Sequence, residues 1–290
     1  MTTITLTGAN SDIITITQDG AGDATLLDGV TGLDMPPVAT TATIPVGWDG
    51  SLLQSTRLPD REVFLPLLLQ ADTVDDMRTL KRRIAQLLSP KTGDVTVTVT
   101  HPGDATIRQI DGRFASGFDG PVTGDGTTAA IGVVLRCSDP WWQAPETTVE
   151  QFDANPSKPL LSATEDFFPM EVTGSQAIGD VTITNPGDAD AWPVIDIVGP
   201  GTDLVMTNAT LGLSFGLSSV ALGETLTVDT RRGVQTLVDD DGNAAWDRLT
   251  PGSQLWPLAA GDNDIDLLIL STDVTTQVVI TYRALYWTAW

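Results

Sequence analysis

Seven residues, Asp94-Val95-Thr96-Val97-Thr98-Val99-Thr100, alternate polar and apolar side chains at period two, which specifies a strand with one buried face. Upstream, Glu62 to Leu69 reads as a second strand. Between them lies the one segment with helical spacing: Val74, Met77, Leu80, Ile84, Leu87 and Leu88 recur every three or four residues and form a single apolar stripe. Thr73 is placed to cap this helix, with Asp76 three residues on. Asp75 and Asp76 suit its positive end, and Arg82 and Arg83 lie toward its negative end. Pro90, in Pro90-Lys91-Thr92-Gly93, stops it. A chain with one amphipathic helix and otherwise short alternating segments is confined to a mainly β architecture.

The remaining segments agree. Ile4 and Leu6, followed by Ile13 to Ile16, predict an N-terminal hairpin, and Thr106 to Ala115 and Ala129 to Cys137 extend the same sheet. That sheet closes at Ser138-Asp139-Pro140-Trp141-Trp142. Gly117 to Thr128 is rich in Gly and Asp, lacks periodicity and reads as a long loop. Pro145, Pro156 and Pro159 punctuate the stretch that follows. The domains expected are therefore 1–145, a connecting segment 146–178, and 179–290. In the last of these, strands are predicted at Asp180–Thr184, Val194–Val198, Leu204–Thr207, Leu213–Leu217, Thr225–Asp229, Val234–Val238, Asp264–Leu270 and Thr276–Ala284. Their spacing, with turns such as Asn185-Pro186-Gly187 and Asp241-Gly242, is that of a β-sandwich.

Composition narrows the function. The 290 residues are 41% hydrophobic, enough for two cores of ordinary size. The net charge of -23 is uneven, at -7 over residues 1–145 and -16 over 146–290. Such a surface repels phosphate and argues against gripping nucleic acid; solubility alone accounts for it by default, and it would also suit a passage through which DNA slides. No apolar run approaches the ~20 residues that cross a bilayer, and Met1 to Thr5 lack a basic region followed by an apolar one. The expectation is a soluble product made in the cytoplasm, with no membrane partner.

Candidates for chemistry are few. Cys137 follows the apolar run Ile131 to Leu135 and reads as a small core residue; His101, beside Pro102 and Gly103, reads as a turn histidine. There is no phosphate-binding Gly-x-x-x-x-Gly-Lys loop and no Gly-x-Ser-x-Gly elbow. A paired-carboxylate glycosidase stays open only because acidic residues are abundant. Asp239-Asp240-Asp241-Gly242-Asn243 gathers carboxylates, but three consecutive Asp leading into Asp-Gly match a hairpin turn better than a calcium loop. No enzyme activity, cofactor or metal is expected. Of the tryptophans in the second half, Trp256 before Pro257 and Trp290 are the candidates to lie exposed and stack on a sugar; the others suit a sandwich core.

Taken in order, these segments resemble the distal tail protein family of long-tailed (siphovirus-type) phages, a component of the tail tip. The N-terminal marks are the strand before the helix, Leu88-Ser89-Pro90, the Thr-Val alternation, His101-Pro102-Gly103 and Asp139-Pro140-Trp141-Trp142. The C-terminal marks are Asn185-Pro186-Gly187-Asp188, Pro193-Val194-Ile195 with Gly199-Pro200, Gly223 to Thr230, and Gly261-Asp262-Asn263. The resemblance implies an N-terminal sandwich or barrel-like ring domain with one packed α-helix, then a galectin-like or carbohydrate-module-like β-sandwich. It further implies a homo-oligomeric ring of six copies at the virion tail tip. That ring would join the tail tube protein to the hub or tail-associated protein, meet the tape measure protein, and let DNA pass without specific binding.

On this reading Pro66, Gly117, Phe118, Asp119 and Gly120 are the ring-contact candidates. Proline cannot donate to a ladder, so Pro66 is expected at an edge or a bulge, an edge at a subunit boundary being one resolution. Asp104, Asp111, Asp119 and Asp125 are candidates to face the channel. The alternative function is a carbohydrate-binding module that recognises host cell-surface glycan through Trp256 and Trp290.

Overall fold

The structure, a computed structural model, describes residues 2–47, 49–101, 103, 106–120, 122–123, 126–153 and 176–290. Its strands are gathered in two compact units, 1–145 with 286–290, and 146–285. The first unit contains β1 (Thr3–Thr7), β2 (Ile13–Thr17), β3 (Ala24–Leu26), β4 (Ala39–Thr43), β5 (Leu52–Arg57), β6 (Arg61–Gln70), α1 (Val74–Leu87), β7 (Val95–Thr100), β8 (Ile107–Gly117), β9 (Val122–Thr123), β10 (Thr128–Cys137) and β11 (Trp142–Gln143).

Seven of these strands close on themselves. β1 pairs with β2 on one side and β7 on the other; β7 continues to β8, β10, β6 and β3, and β3 returns parallel to β2. Closure removes the exposed edges that an open sheet of this size would carry. Register puts the apolar set on one face: Ile4 lies opposite both Ile16 and Val99, and Leu6 opposite both Ile14 and Val97. These six side chains are buried, along with Val63, Leu65, Leu67, Leu69, Val133 and Leu135, so the barrel interior is a packed core.

The helix forms as its caps predict. Thr73 Oγ1 accepts from the Asp76 N–H at 3.1 Å and donates to the Asp76 carboxylate at 2.7 Å. Met77, Ile84 and Leu87 are buried, whereas Val74, at the start of the stripe, is exposed. No basic residue lies in the last turn. Arg83 instead reaches off the helix and forks onto Asp12 at 3.0 Å and Asp23 at 3.1 Å, fastening α1 to the turns on either side of β2. Its bonds lower the Asp12 pKa from 3.8, hydrogen bonding being the largest cause.

Pro66 is not at an edge. β6 is flanked by β10 along its whole length and by β3 over Leu67 and Leu68. The Leu27 N–H donates to the Pro66 carbonyl at 2.9 Å, and in an antiparallel pair Pro66 would have to return a bond from its own nitrogen. It has no hydrogen to give. β3 therefore ends at Leu26, and pairing on that side resumes only at the Thr31–Phe64 bridge. The missing donor is absorbed by interrupting a neighbouring strand.

The second unit contains β12 (Thr148–Asp153), β13 (Gln176–Asn185), β14 (Val194–Val198), β15 (Gly201–Asn208), β16 (Leu213–Val220), β17 (Thr225–Asp229), β18 (Thr236–Val238), β19 (Gly261–Leu270) and β20 (Gln277–Tyr282). β12 lies within the stretch read from sequence as a connector, where it pairs with β20. Two sheets, ordered β12-β20-β14-β17-β18 and β13-β19-β15-β16, share one core. It includes Ile195, Ile197, Leu226, Val228, Val278 and Ile280 from the first sheet, and Leu204, Met206, Phe215, Leu217, Ile265 and Ile269 from the second. This is a β-sandwich. The last strand, β21 (Leu285–Tyr286), pairs with β11, and Tyr286–Trp290 belong to the first unit.

Candidate assembly surfaces

After Asp34 the chain leaves the barrel and makes a two-stranded ribbon, β4 paired with β5, before returning at Asp60. All of β5 and most of β4 are exposed. The ribbon and its flanks carry Met35, Val38, Ile44, Val46, Leu52 and Leu53 in the open; Ile44 is 75% exposed and Leu53 65%. Leu52 and Leu53 are neighbours in a strand and so point to opposite faces. Apolar surface is thus offered on both sides of the arm.

The root of this arm is held by backbone carbonyls gathered around one buried guanidinium. Arg61, 1% exposed, donates from Nε to the Pro140 carbonyl at 2.8 Å and from Nη2 to that of Trp287 at 2.9 Å. Its Nη1 donates to the carbonyls of Gly32, at 2.8 Å, and Asp34. The planar fork suits this task, since a lysine has no fixed geometry with which to span four acceptors. Burial lowers its pKa, with Cys137, Asp139 and Asp34 acting in the opposite sense. Gly32 is required here. Its φ is +87°, and a Cβ would lie 2.2 Å from the Glu62 carbonyl oxygen. The Ala289 N–H donates to the Leu33 carbonyl at 2.8 Å, and Trp290 Nε1 donates to the Asp34 carboxylate at 2.7 Å. On the return side Arg136 Nε donates to Asp60 and holds that carboxyl below 3.8.

The residues singled out from sequence are dispersed. Pro66 is half-buried inside the barrel sheet. Gly117 and Asp119 are exposed and Phe118 and Gly120 half-buried. Gly117 and Phe118 both take left-handed φ, +92° and +64°, and the Phe118 N–H donates to the Gly132 carbonyl at 2.7 Å. A Cβ on Gly120 would meet the Ala130 carbonyl at 1.9 Å. This stretch therefore folds back onto β10, and β9 pairs with Thr128 and Ala129 where sequence predicts only loop. Asp111 accepts from Thr96 Oγ1 at 2.6 Å. Asp104 and Asp125 lie outside the described residues.

Trp256 is fully buried, which removes it as a sugar platform. It lies 6.0 Å from Phe215 between ring centroids, and its Nε1 donates to the Met206 carbonyl at 3.4 Å. Three buried asparagines fasten the segment that carries it. Asn208 donates to the Pro257 carbonyl at 3.2 Å, Asn185 to that of Leu258 at 3.0 Å, and Asn263 to that of Ala259 at 2.8 Å. Trp290 is half exposed but belongs to the first unit, where His101 meets it edge-on at 4.5 Å.

Asp239 is a turn residue. Its carboxylate accepts from the Asp241 and Asn243 N–H groups at 3.0 and 2.8 Å, and hydrogen bonding lowers its pKa from 3.8. Among the described residues no cluster of three His, Cys, Asp or Glu could hold a metal. Cys137 is buried and free, and burial pushes its thiol pKa up to about 12, opposite to what a nucleophile needs.

An open depression of about 560 Å³ in the sandwich is lined by Thr202, Ser218, Ser219, Asp247, Arg248 and Ser271, among others. Ser271 and Asp203, next to Thr202, both take left-handed φ (+56° and +49°), and the β15–β19 register shifts between Thr202 and Val205. Arg248 is committed to Glu224 at 2.8 Å.

The first unit is thus a closed barrel with one helix and a two-stranded arm, joined in sequence to a β-sandwich. Residues 26–120, which include the arm, its root and α1, match the family model described as the phage tail protein RIFT-related domain. The whole fold is similar to the crystal structure of the Dit protein of phage SPP1, described as a paradigm of the hub adsorption apparatus in phages infecting Gram-positive bacteria. The TM-score is 0.65 at 17% identity, covering 96% of this chain and 98% of that one. Chains of the phage P2 baseplate in its activated conformation, with Ca and with Sr, match at TM-scores of 0.53 and 0.51, each at 9% identity and covering 98% of both chains. No curated protein matches the sequence significantly. The resemblance read from the sequence thus holds in the fold.

Proposed function

We propose that this chain is a structural protein of the phage tail tip. Copies of its first unit meet head to tail and close into a six-membered ring. One side of the ring joins the tail tube protein; the other joins the hub and host-recognition proteins, with the tape measure protein and the passing DNA on its axis. The observation that carries this reading is the likeness to SPP1 Dit over 96% of the chain, supported by the tail-protein domain at 26–120. The net charge of -23 is consistent with a passage that does not retain phosphate. In this role the protein works by geometry and performs no reaction. Electron microscopy of the purified full-length chain tests it, with six-membered rings expected. Antibody labelling of intact particles should mark the tail tip, and label on the capsid alone, or on no particle, would sink the proposal.

A further inference from the structure

We infer that the guanidinium of Arg232, stacked on the indole of Trp192, is a binding site for a lone carboxylate carried by another protein. Residues 146–290 hold five cations against 21 acids, a net of -16. Three of the five, Arg231, Arg232 and Arg283, sit at one end of the first sheet of the sandwich. Val194 lies opposite Asp229 on one side and Thr281 on the other. Two residues further out, Trp192 therefore falls between the strand ends that carry Arg231 and Arg283.

The three arginines are not equivalent. Arg231 forks onto Asp229, at 3.0 Å from Nε and 2.5 Å from Nη2, and Arg283 is engaged within the chain. Arg232 makes no hydrogen bond or ion pair with any described residue, and its guanidinium carbon lies 4.7 Å over the Trp192 ring centroid. The planar face is thus occupied by the indole, and the rim of N–H donors is left open. Both halves of the stack are tied down. Thr230, fully buried, donates to the Pro193 carbonyl from its N–H at 3.1 Å and from its Oγ1 at 2.7 Å, fastening the turn that carries Arg232 to the neighbour of Trp192. A fork held in place before its ligand arrives loses less freedom on binding.

The surroundings select the ligand. A planar fork with open donors matches an oxyanion, above all a carboxylate taken by two parallel bonds. A neutral sugar would need the indole face that the guanidinium covers. A phosphate polymer would bring charge after charge up to a strongly acidic unit, with Asp188 and Asp190 exposed just before Trp192. For the same reason a second copy, at -23, is a poor occupant. What fits is an isolated acid on an otherwise neutral segment of a partner protein, and Val234, 51% exposed, offers that segment an apolar contact in the same turn.

The test uses the full-length chain and a capped Leu-Glu-Leu peptide as the probe, with Leu-Gln-Leu and polyphosphate as comparisons. The indole N–H resonance of Trp192, assigned by its loss in Trp192→Phe, reports binding, and thermal unfolding checks that Arg232→Gln and Arg232→Lys fold as wild type does. A saturable shift is expected with Leu-Glu-Leu, weakened at least about tenfold by Arg232→Gln or by the change to Leu-Gln-Leu. Arg232→Lys, which keeps the charge but not the fork, should bind more like Arg232→Gln than like wild type. An indole that does not move, equal affinity for the two peptides, Arg232→Lys matching wild type, or polyphosphate binding more tightly than Leu-Glu-Leu would each overturn the inference. None of these results bears on the tail-tip reading, which rings and particle labelling decide separately.

Discussion

Replacing Arg61 by methionine keeps much of the apolar stem and deletes all the donors. Four carbonyls, those of Gly32, Asp34, Pro140 and Trp287, then lose a partner in a site that is 1% exposed. At about 1 kcal/mol for each buried acceptor stripped of its donor, the loss is roughly 4 kcal/mol. The guanidinium also lies 6.0 Å from the Trp142 ring centroid, a contact worth about 0.5 kcal/mol more. Total stabilities are about 5–15 kcal/mol, so this one change removes a large part of the margin. Lysine, with three donors and no planar fork, should recover about half of the loss. Urea unfolding followed by circular dichroism measures the difference, and hydrogen exchange reports where it falls. Protection should drop first at residues 31–34, loosening the arm before the barrel opens. A shift below about 1 kcal/mol for Arg61→Met would refute the reasoning, because those carbonyls would then have found water and the root would not depend on the fork.

Two further outcomes follow from the same structure. Cys137 should resist alkylation at pH 8 in the folded chain and react at once in urea, since burial lifts its pKa to about 12. The folded state then binds more protons than the unfolded state between pH ~9 and ~12, so stability falls as pH rises through that window. Cys137→Ala should lack this alkaline contribution, and parallel urea midpoints for the two proteins from pH 9 to 11 would rule it out. Glu224 accepts from Arg248 and from the Ala221 N–H at 2.7 Å, and its pKa is lowered from 4.5, the Arg248 hydrogen bond being the largest cause. Its contribution is present above pH ~4.5 and lost as pH falls through the depressed folded value. Glu224→Gln should therefore cost about 1 kcal/mol at pH 7 and little at pH 3, as measured by urea unfolding at both pH values. An equal cost at the two would contradict the assignment.

Period and punctuation made most elements legible. β14 and β17 span the residues predicted for them, and the capped helix and its buried stripe follow from Thr73 and the three- and four-residue spacing. The arm was not legible because neither strand has a buried face: Ala39-Thr40-Thr41-Ala42-Thr43 carries no alternation when both sides meet solvent. Its exposed leucines read from sequence like any others. Pro66 misled because sequence shows that a donor is missing, not which neighbour will do without it. Trp256 misled because its burial depends on Asn185, Asn208 and Asn263, residues far apart in sequence that converge on one crossing segment. Arg83 balances two turns of the barrel, not the helix end, a choice decided by Asp12 and Asp23 coming within its reach.

The return of Tyr286–Trp290 to the first unit sets a clock on its synthesis. Residues 1–145 leave the ribosome before the sandwich, yet the carbonyl of Trp287 that Arg61 needs and the indole that meets His101 come after it. At about 5–20 residues per second, residues 146–285 impose a delay of roughly 7–28 s between the two events. During that interval every nascent copy carries an unfinished root, and a barrel whose strands are made before the sandwich is completed only after it.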